Sequence, residues 1–187
     1  MTMIPAQNFI AHLKRLADSD RGALAVLRRG AGFAPGTYPP AFPYVERFVP
    51  DEEHAQGSRR LARYLVATLF ALHPKHVSGT SLAAAFGRLM RERDSASLEK
   101  RFVALLAAEP EELPVHLRNV ITLLASDGLA CDYAALESDL AKWLHSYGDE
   151  SRDRVRQQWA RDFYRALESS GQRAPSDFDQ PNQESPT

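Results

Sequence analysis

The sequence holds a single cysteine, Cys131, so no internal disulfide can form and no second thiol is available for a thiolate zinc site. That scarcity fits a reducing compartment, and the cytoplasm is the expected location. No run of 18 apolar residues occurs, which argues against a membrane-spanning helix, and the opening MTMIPAQNFIAHLKRL lacks the apolar core and small-residue cleavage site of a signal peptide. Runs of alternating apolar and polar residues, the mark of a half-buried strand, are also missing. So are HExxH, GxSxG and a glycine-rich phosphate loop ending in Lys-Ser/Thr. The six histidines offer no ligand pair at helical spacing: His73 and His76 flank Pro74, and Glu112 and His116 are separated by Pro114. No catalytic residue, metal or cofactor is therefore expected.

What is present is ordinary globular material, 44% hydrophobic and 25% charged, in 187 residues, enough to bury a core without a staple. Helical periodicity dominates, and the expected fold is all-α, with eight or nine helices in two small lobes. Phe9, Leu13 and Leu16 mark a first helix, and Asp20 is placed to cap a second that runs to Arg29 with Gly30 as its C-terminal cap. GAGFAPGTYPP then reads as a flexible loop, followed by a short helix from Ala41 to Val49 with Pro43 in its first turn. Further helices are expected over 58–72, 81–93 and 97–108, then 114–126, 133–146 and 151–169, the last two capped by Asp132 and by Asp149 or Ser151. The break EPEELP at 109–114 divides an N-terminal lobe, 1–108, from a C-terminal lobe, 109–170. The polar, proline-rich residues 171–187 are expected to be disordered, and deleting them is expected to leave the melting temperature nearly unchanged.

The net charge is only -1, but it is segregated: +6 over residues 1–104, -7 over 105–150, +2 over 151–170 and -2 beyond. Of 23 basic residues 19 are arginine, whose planar fork can grip phosphate with two parallel hydrogen bonds, although a high-GC genome would also enrich arginine. Arg21 and Arg28 fall about 20° apart on one helix face, with Arg29 about 80° round from Arg21. In the last helix Arg154, Arg161 and Arg165 cluster within about 40°, opposite the apolar side formed by Val155, Trp159, Phe163 and Ala166. Both stripes are candidate phosphate contacts. Arg88, Arg91 and Arg93 read instead as surface ion pairs, with Glu92 and Asp94 close by in sequence.

Five segments, in order, carry a family resemblance: DRGALAVLRRG at 20–30, YLVATLFALHP at 64–74, SLEKRFVALL at 97–106, LPVHLRNVITLL at 113–124 and VRQQWARDFY at 155–164. Together they resemble the CasB family, the small subunit of the type I-E CRISPR Cascade complex, over about Phe9 to Tyr164. The resemblance implies a non-catalytic subunit, present in two copies, that contacts the large subunit and the backbone subunits of a crRNA-guided antiviral complex. It further implies stabilisation of the R-loop through contacts with crRNA and the displaced strand of target DNA. Lys100, Arg101 and Arg118, which lie within these segments, join the two arginine stripes as candidate nucleic-acid contacts. The alternative on the residues alone is a helical adaptor whose arginine faces meet acidic protein surfaces. A DNA-binding regulator fits less well, since the helices lack helix-turn-helix spacing.

Overall fold

The computed structural model describes residues 6–169. Helix α1 spans Ala6–Ser19 and α2 spans Arg21–Gly30. A 3-10 turn at Pro39–Ala41 leads into the short α3, Phe42–Val45, and a second at Glu46–Phe48 follows it. Then come α4 (Ser58–Leu72), α5 (Leu82–Arg93), α6 (Ala96–Ala107), α7 (Leu113–Asp127), α8 (Tyr133–Trp143) and α9 (Asp149–Glu168). The all-α expectation holds for the described residues, where the one β-type pairing is an isolated parallel bridge between His76 and Cys131. No described helix is long and apolar enough to cross a membrane. The segment from 171 onward lies outside the described residues.

Helix α4 is the axis of the fold. Every residue from Ala62 to Ala71 is buried, as befits a helix covered on all sides, and α1, α2, α7 and α8 pack around it. The most extensive helix pair is α5 with α9, and it depends on Gly87: a Cβ there would lie 2.4 Å from the carbonyl oxygen of Phe163. Beside this crossing Phe102 stacks on Phe163 at 3.9 Å and 10°, with Phe86 against both rings. Trp143 of α8 meets Trp159 of α9 at 5.2 Å, and the indole N–H of Trp159 donates to Asp139 (2.9 Å). Helices on both sides of residue 108 thus share one packing: α5 with α9, and α4 with α8.

Several local readings need revision. Gly30 is the last residue of α2, not its cap; it is buried, and a Cβ there would come within 3.0 Å of Thr68 Cγ2, so glycine lets α2 approach α4. The expected helix over 41–49 is broken into α3 and its flanking 3-10 turns. Arg60 and Tyr64 of α4 bind the Glu46 carboxylate, and Arg63 donates to the Phe48 carbonyl, so this segment is held by α4 rather than by its own ladder. The N-cap of α9 is Gly148, with no side-chain cap, so neither Asp149 nor Ser151 plays that part. Asp20 and Asp132 do cap α2 and α8, accepting from Ala23 N–H (2.8 Å) and from Ala134 and Ala135 N–H (3.0 and 3.1 Å).

Candidate nucleic-acid interface

Many of the arginines hold the fold together. Arg63, buried in α4, donates to Glu137 of α8 at 2.8 Å and lies over Phe9 at 5.4 Å. Burial pushes the Glu137 carboxyl above its ordinary range, against the pull of Arg63. Arg60 joins Glu46 (2.5 Å), Ala55 O (2.9 Å) and the face of Tyr64. Burial raises the Glu46 carboxyl, but hydrogen bonds from Arg60 and Tyr64 outweigh it and hold the group below its ordinary value. Arg91 donates to the Ala166 carbonyl at the C-terminal end of α9 (2.5 Å). Arg93 forks onto Asp127 of α7 at 2.6 and 2.9 Å, so its partner is a distant aspartate and not its neighbours Glu92 and Asp94. Arg152 and Arg156 both reach Glu109, and Arg156 also donates to Ala108 O (3.1 Å). Part of the arginine enrichment therefore has a structural cause: a planar fork spans helix ends and carboxylates that a lysine point charge would grip less well.

Against that background the candidate contacts divide. On α2 all three of Arg21, Arg28 and Arg29 are exposed. Arg28 donates from Nε and Nη2 to Ala71 O (3.2 and 3.1 Å), satisfying a carbonyl in the last turn of α4, where a cation is favoured by the helix dipole. Arg21 and Arg29 make no such bond. Arg21 stands in the first turn of α2, where the dipole disfavours a cation, so helix stability does not account for it. Seven residues separate Arg21 from Arg28, about 10 Å along the axis, which spans about three phosphates of a stacked strand at ~3.4 Å each. Arg118 of α7 is drawn to the C-terminal end of α2, donating from Nη1 to Ala31 O (3.0 Å).

The second group lies on α9 and its neighbour α6. Val155, Trp159 and Phe163 are buried, and Arg154, Arg161 and Arg165 are exposed on the other side. Arg154 pairs with Glu150 at 2.5 Å, both largely in solvent, an arrangement worth little to stability. Arg161 has a long contact to Gln157 (3.5 Å), and Arg165 has no side-chain partner among the described residues. Lys100 and Arg101 are exposed on α6, which adjoins α9 through the Phe102–Phe163 stack and a bond from Tyr164 OH to Glu99 (3.0 Å). Arg15, beside Lys14, and Arg59, beside Arg60, are also exposed and make no side-chain bond among the described residues.

The histidines flanking Pro74 are both engaged. His73 donates to Leu129 O (2.7 Å), and His76 accepts from Tyr133 N–H (3.2 Å). Cys131 is fully buried, and burial pushes its thiol up to about 12.

The sequence model of the CRISPR-associated protein Cse2 family matches residues 23–164. Arg28, Arg29, Lys100, Arg101, Arg118, Arg154 and Arg161 fall inside that match; Arg21 and Arg165 fall just outside it. A CRISPR-associated protein Cse2 of Thermus thermophilus is 38% identical over 167 residues, which cover 88% of this chain and 92% of that one. The crystal structure of CasB from Thermus thermophilus superposes with a TM-score of 0.71 at 38% identity, covering 86% of this chain and 97% of the other. A chain of a CRISPR RNA-guided surveillance complex, pre-nicking, superposes with a TM-score of 0.73 at 25% identity, covering 87% and 93%.

Proposed function

The chain belongs to the CRISPR-associated protein Cse2 family, and from that premise we propose that it is the small, non-catalytic subunit of a crRNA-guided, type I-E surveillance complex, Cascade, acting in the cytoplasm. In this reading two copies sit beside the large and backbone subunits. Their exposed arginines hold the backbone of crRNA and of the displaced DNA strand, which stabilises the R-loop. The observation that supports the nucleic-acid part is that the exposed guanidiniums of Arg21, Arg29 and Arg165, like those of Arg15 and Arg59, have no side-chain partner among the described residues of a protein that ties up so many others.

The energetics suit such a role. Exchanging a DNA duplex for a guide–target heteroduplex is nearly balanced, so a few phosphate contacts to the released strand are enough to tip it. The guide supplies sequence specificity, and the subunit has only to read backbone charge. Filter binding of the purified chain to single-stranded and duplex DNA across a salt series tests this. The logarithm of the affinity is expected to fall linearly with log salt, by a slope of roughly 0.7 per contact on a single strand and 0.9 on duplex, and without sequence preference. Absence of binding at low salt would favour the adaptor reading, in which the same arginines meet acidic protein surfaces.

A further inference from the structure

Helix α1 carries His12 and Arg15 one turn apart, which makes them neighbours on its surface. His12 is buried and donates from Nε2 to the Tyr44 carbonyl (3.2 Å), while its ring lies against that of Phe48, with centroids 4.8 Å apart. The 3-10 turn at Glu46–Phe48 sets Arg47 over the same Phe48 ring, its guanidinium carbon 6.0 Å from the centroid. Two elements distant in sequence therefore bring two guanidiniums to one imidazole. Burial lowers the pKa of His12, and the charges of Arg47 and Arg15 lower it further, against the hydrogen bond to Tyr44.

No carboxylate offsets these charges. Glu46, beside Arg47, is held by Arg60 and Tyr64. Asp18, Asp51 and Glu52, the other carboxylates close in sequence, form no ion pair with Arg15 or Arg47 among the described residues. Arg63 of α4, which donates to the Phe48 carbonyl, is paired with Glu137 of α8, so that pair adds no net charge. Arg15 makes no side-chain bond, and Arg47 donates only from Nη2 to Pro43 O (3.0 Å), so both exposed guanidiniums keep most of their donors free. Like charges gathered at a buried imidazole disfavour the free fold, so packing does not account for the arrangement. An anion does. One carboxylate fills a single guanidinium fork, whereas a nucleic-acid strand presents phosphates in succession and can meet both arginines.

We propose that His12, Arg15 and Arg47 form a phosphate-binding site for a nucleic-acid strand, in which the two arginines grip the backbone beside the His12 ring. The proposal rests on the nucleic-acid reading above and adds a further surface, built by α1 and the 46–48 turn, to the stripes on α2 and α9. It is tested with Arg15→Gln, Arg47→Gln, the double variant and the unaltered protein, titrated with a fluorescent oligothymidylate at several salt concentrations while NMR follows the His12 ring. Neither arginine bonds the helical core, so all variants are expected to melt within about 2 °C of the unaltered protein. Each single substitution is expected to lower the salt slope by roughly 0.7, and the pair by roughly 1.4. Oligothymidylate is expected to shift the His12 ring resonances, and inorganic phosphate at the same phosphate concentration to shift them far less. If the double variant binds oligothymidylate with an unchanged slope, the site is refuted while the other arginine contacts stand. If the unaltered protein binds no oligothymidylate at low salt, the nucleic-acid reading itself fails and this site with it. If inorganic phosphate moves the ring as far as oligothymidylate does, the site takes a free phosphate group and the strand is overturned as its ligand. A double variant that binds oligothymidylate normally but is lost from the assembled complex also overturns the proposal, because the arginines then meet an acidic protein face.

Discussion

Alanine at Arg28 and alanine at Arg21 or Arg29 should have different consequences, although the three residues look alike in sequence. Arg28 donates twice to Ala71 O near the C-terminal end of α4, whose final carbonyls lack partners in their own helix. A hydrogen bond to a charged donor contributes about 1.5–3 kcal/mol when well sheltered, but Arg28 is exposed, so about 1 kcal/mol is the fair figure. For a chain of this size that corresponds to a fall of about 2–4 °C in melting temperature. Arg21 and Arg29 have no such bond to lose, and their replacement is expected to change stability by less than about 0.5 kcal/mol. In binding the order differs: each of the three should lower the single-strand salt slope by roughly 0.7 if its charge meets a phosphate. Thermal melts followed by circular dichroism, paired with anisotropy titrations from 50 to about 300 mM salt, separate the two effects. The reasoning fails if Arg21→Ala or Arg29→Ala destabilises as much as Arg28→Ala, or if none of the three changes the slope.

Three further outcomes follow from the packing and the charges. Gly87→Ala would force a methyl group against the Phe163 carbonyl, at 2.4 Å, and should cost about 1–3 kcal/mol by prising α5 from α9; an unchanged melting temperature would contradict the close crossing. The Glu46 carboxyl is held below its ordinary value by Arg60 and Tyr64, so its contribution is full above about pH 4.5 and is lost as the pH falls through the depressed folded value. Glu46→Gln should therefore lower stability at pH 7 and flatten its acid decline, as measured by urea melts from pH 7 to pH 3; a parallel decline would refute the linkage. Cys131, buried and with its thiol near 12, should resist a thiol reagent in the native protein and react promptly in denaturant; fast native labelling would contradict its burial.

The helices were legible because their signals are local. Leucine spacing marked α4, and Asp20 and Asp132 announced the starts of α2 and α8, since a capping carboxylate needs only the N–H groups two or three residues ahead. What could not be read was set by partners distant in sequence. Gly30 has the look of a helix cap and is in fact a contact with Thr68. Arg93 appears destined for Glu92 or Asp94 and reaches across to Asp127 instead. The two arginine stripes do lie on exposed helix faces, but periodicity cannot distinguish Arg28, which is bonded to α4, from Arg29, which is free one residue later. Phe33 sits where glycine and proline read as a flexible loop, yet it stacks on Tyr38 through turns that cannot be seen in the composition of the segment.

Stabilisation of the R-loop is measured most directly by its rate of formation in an assembled complex that carries either the unaltered subunit or the quadruple variant Arg21→Ala, Arg29→Ala, Arg161→Ala, Arg165→Ala. Among the described residues none of the four side chains bonds another element of the fold, so the variant should fold and assemble normally. Initial target search should be little changed, since the displaced strand exists only after unwinding begins, whereas R-loop completion should slow by about ten-fold or more, as expected when several phosphate contacts are lost from a nearly balanced exchange. A variant complex that assembles in full and completes R-loops at the unaltered rate would contradict the account.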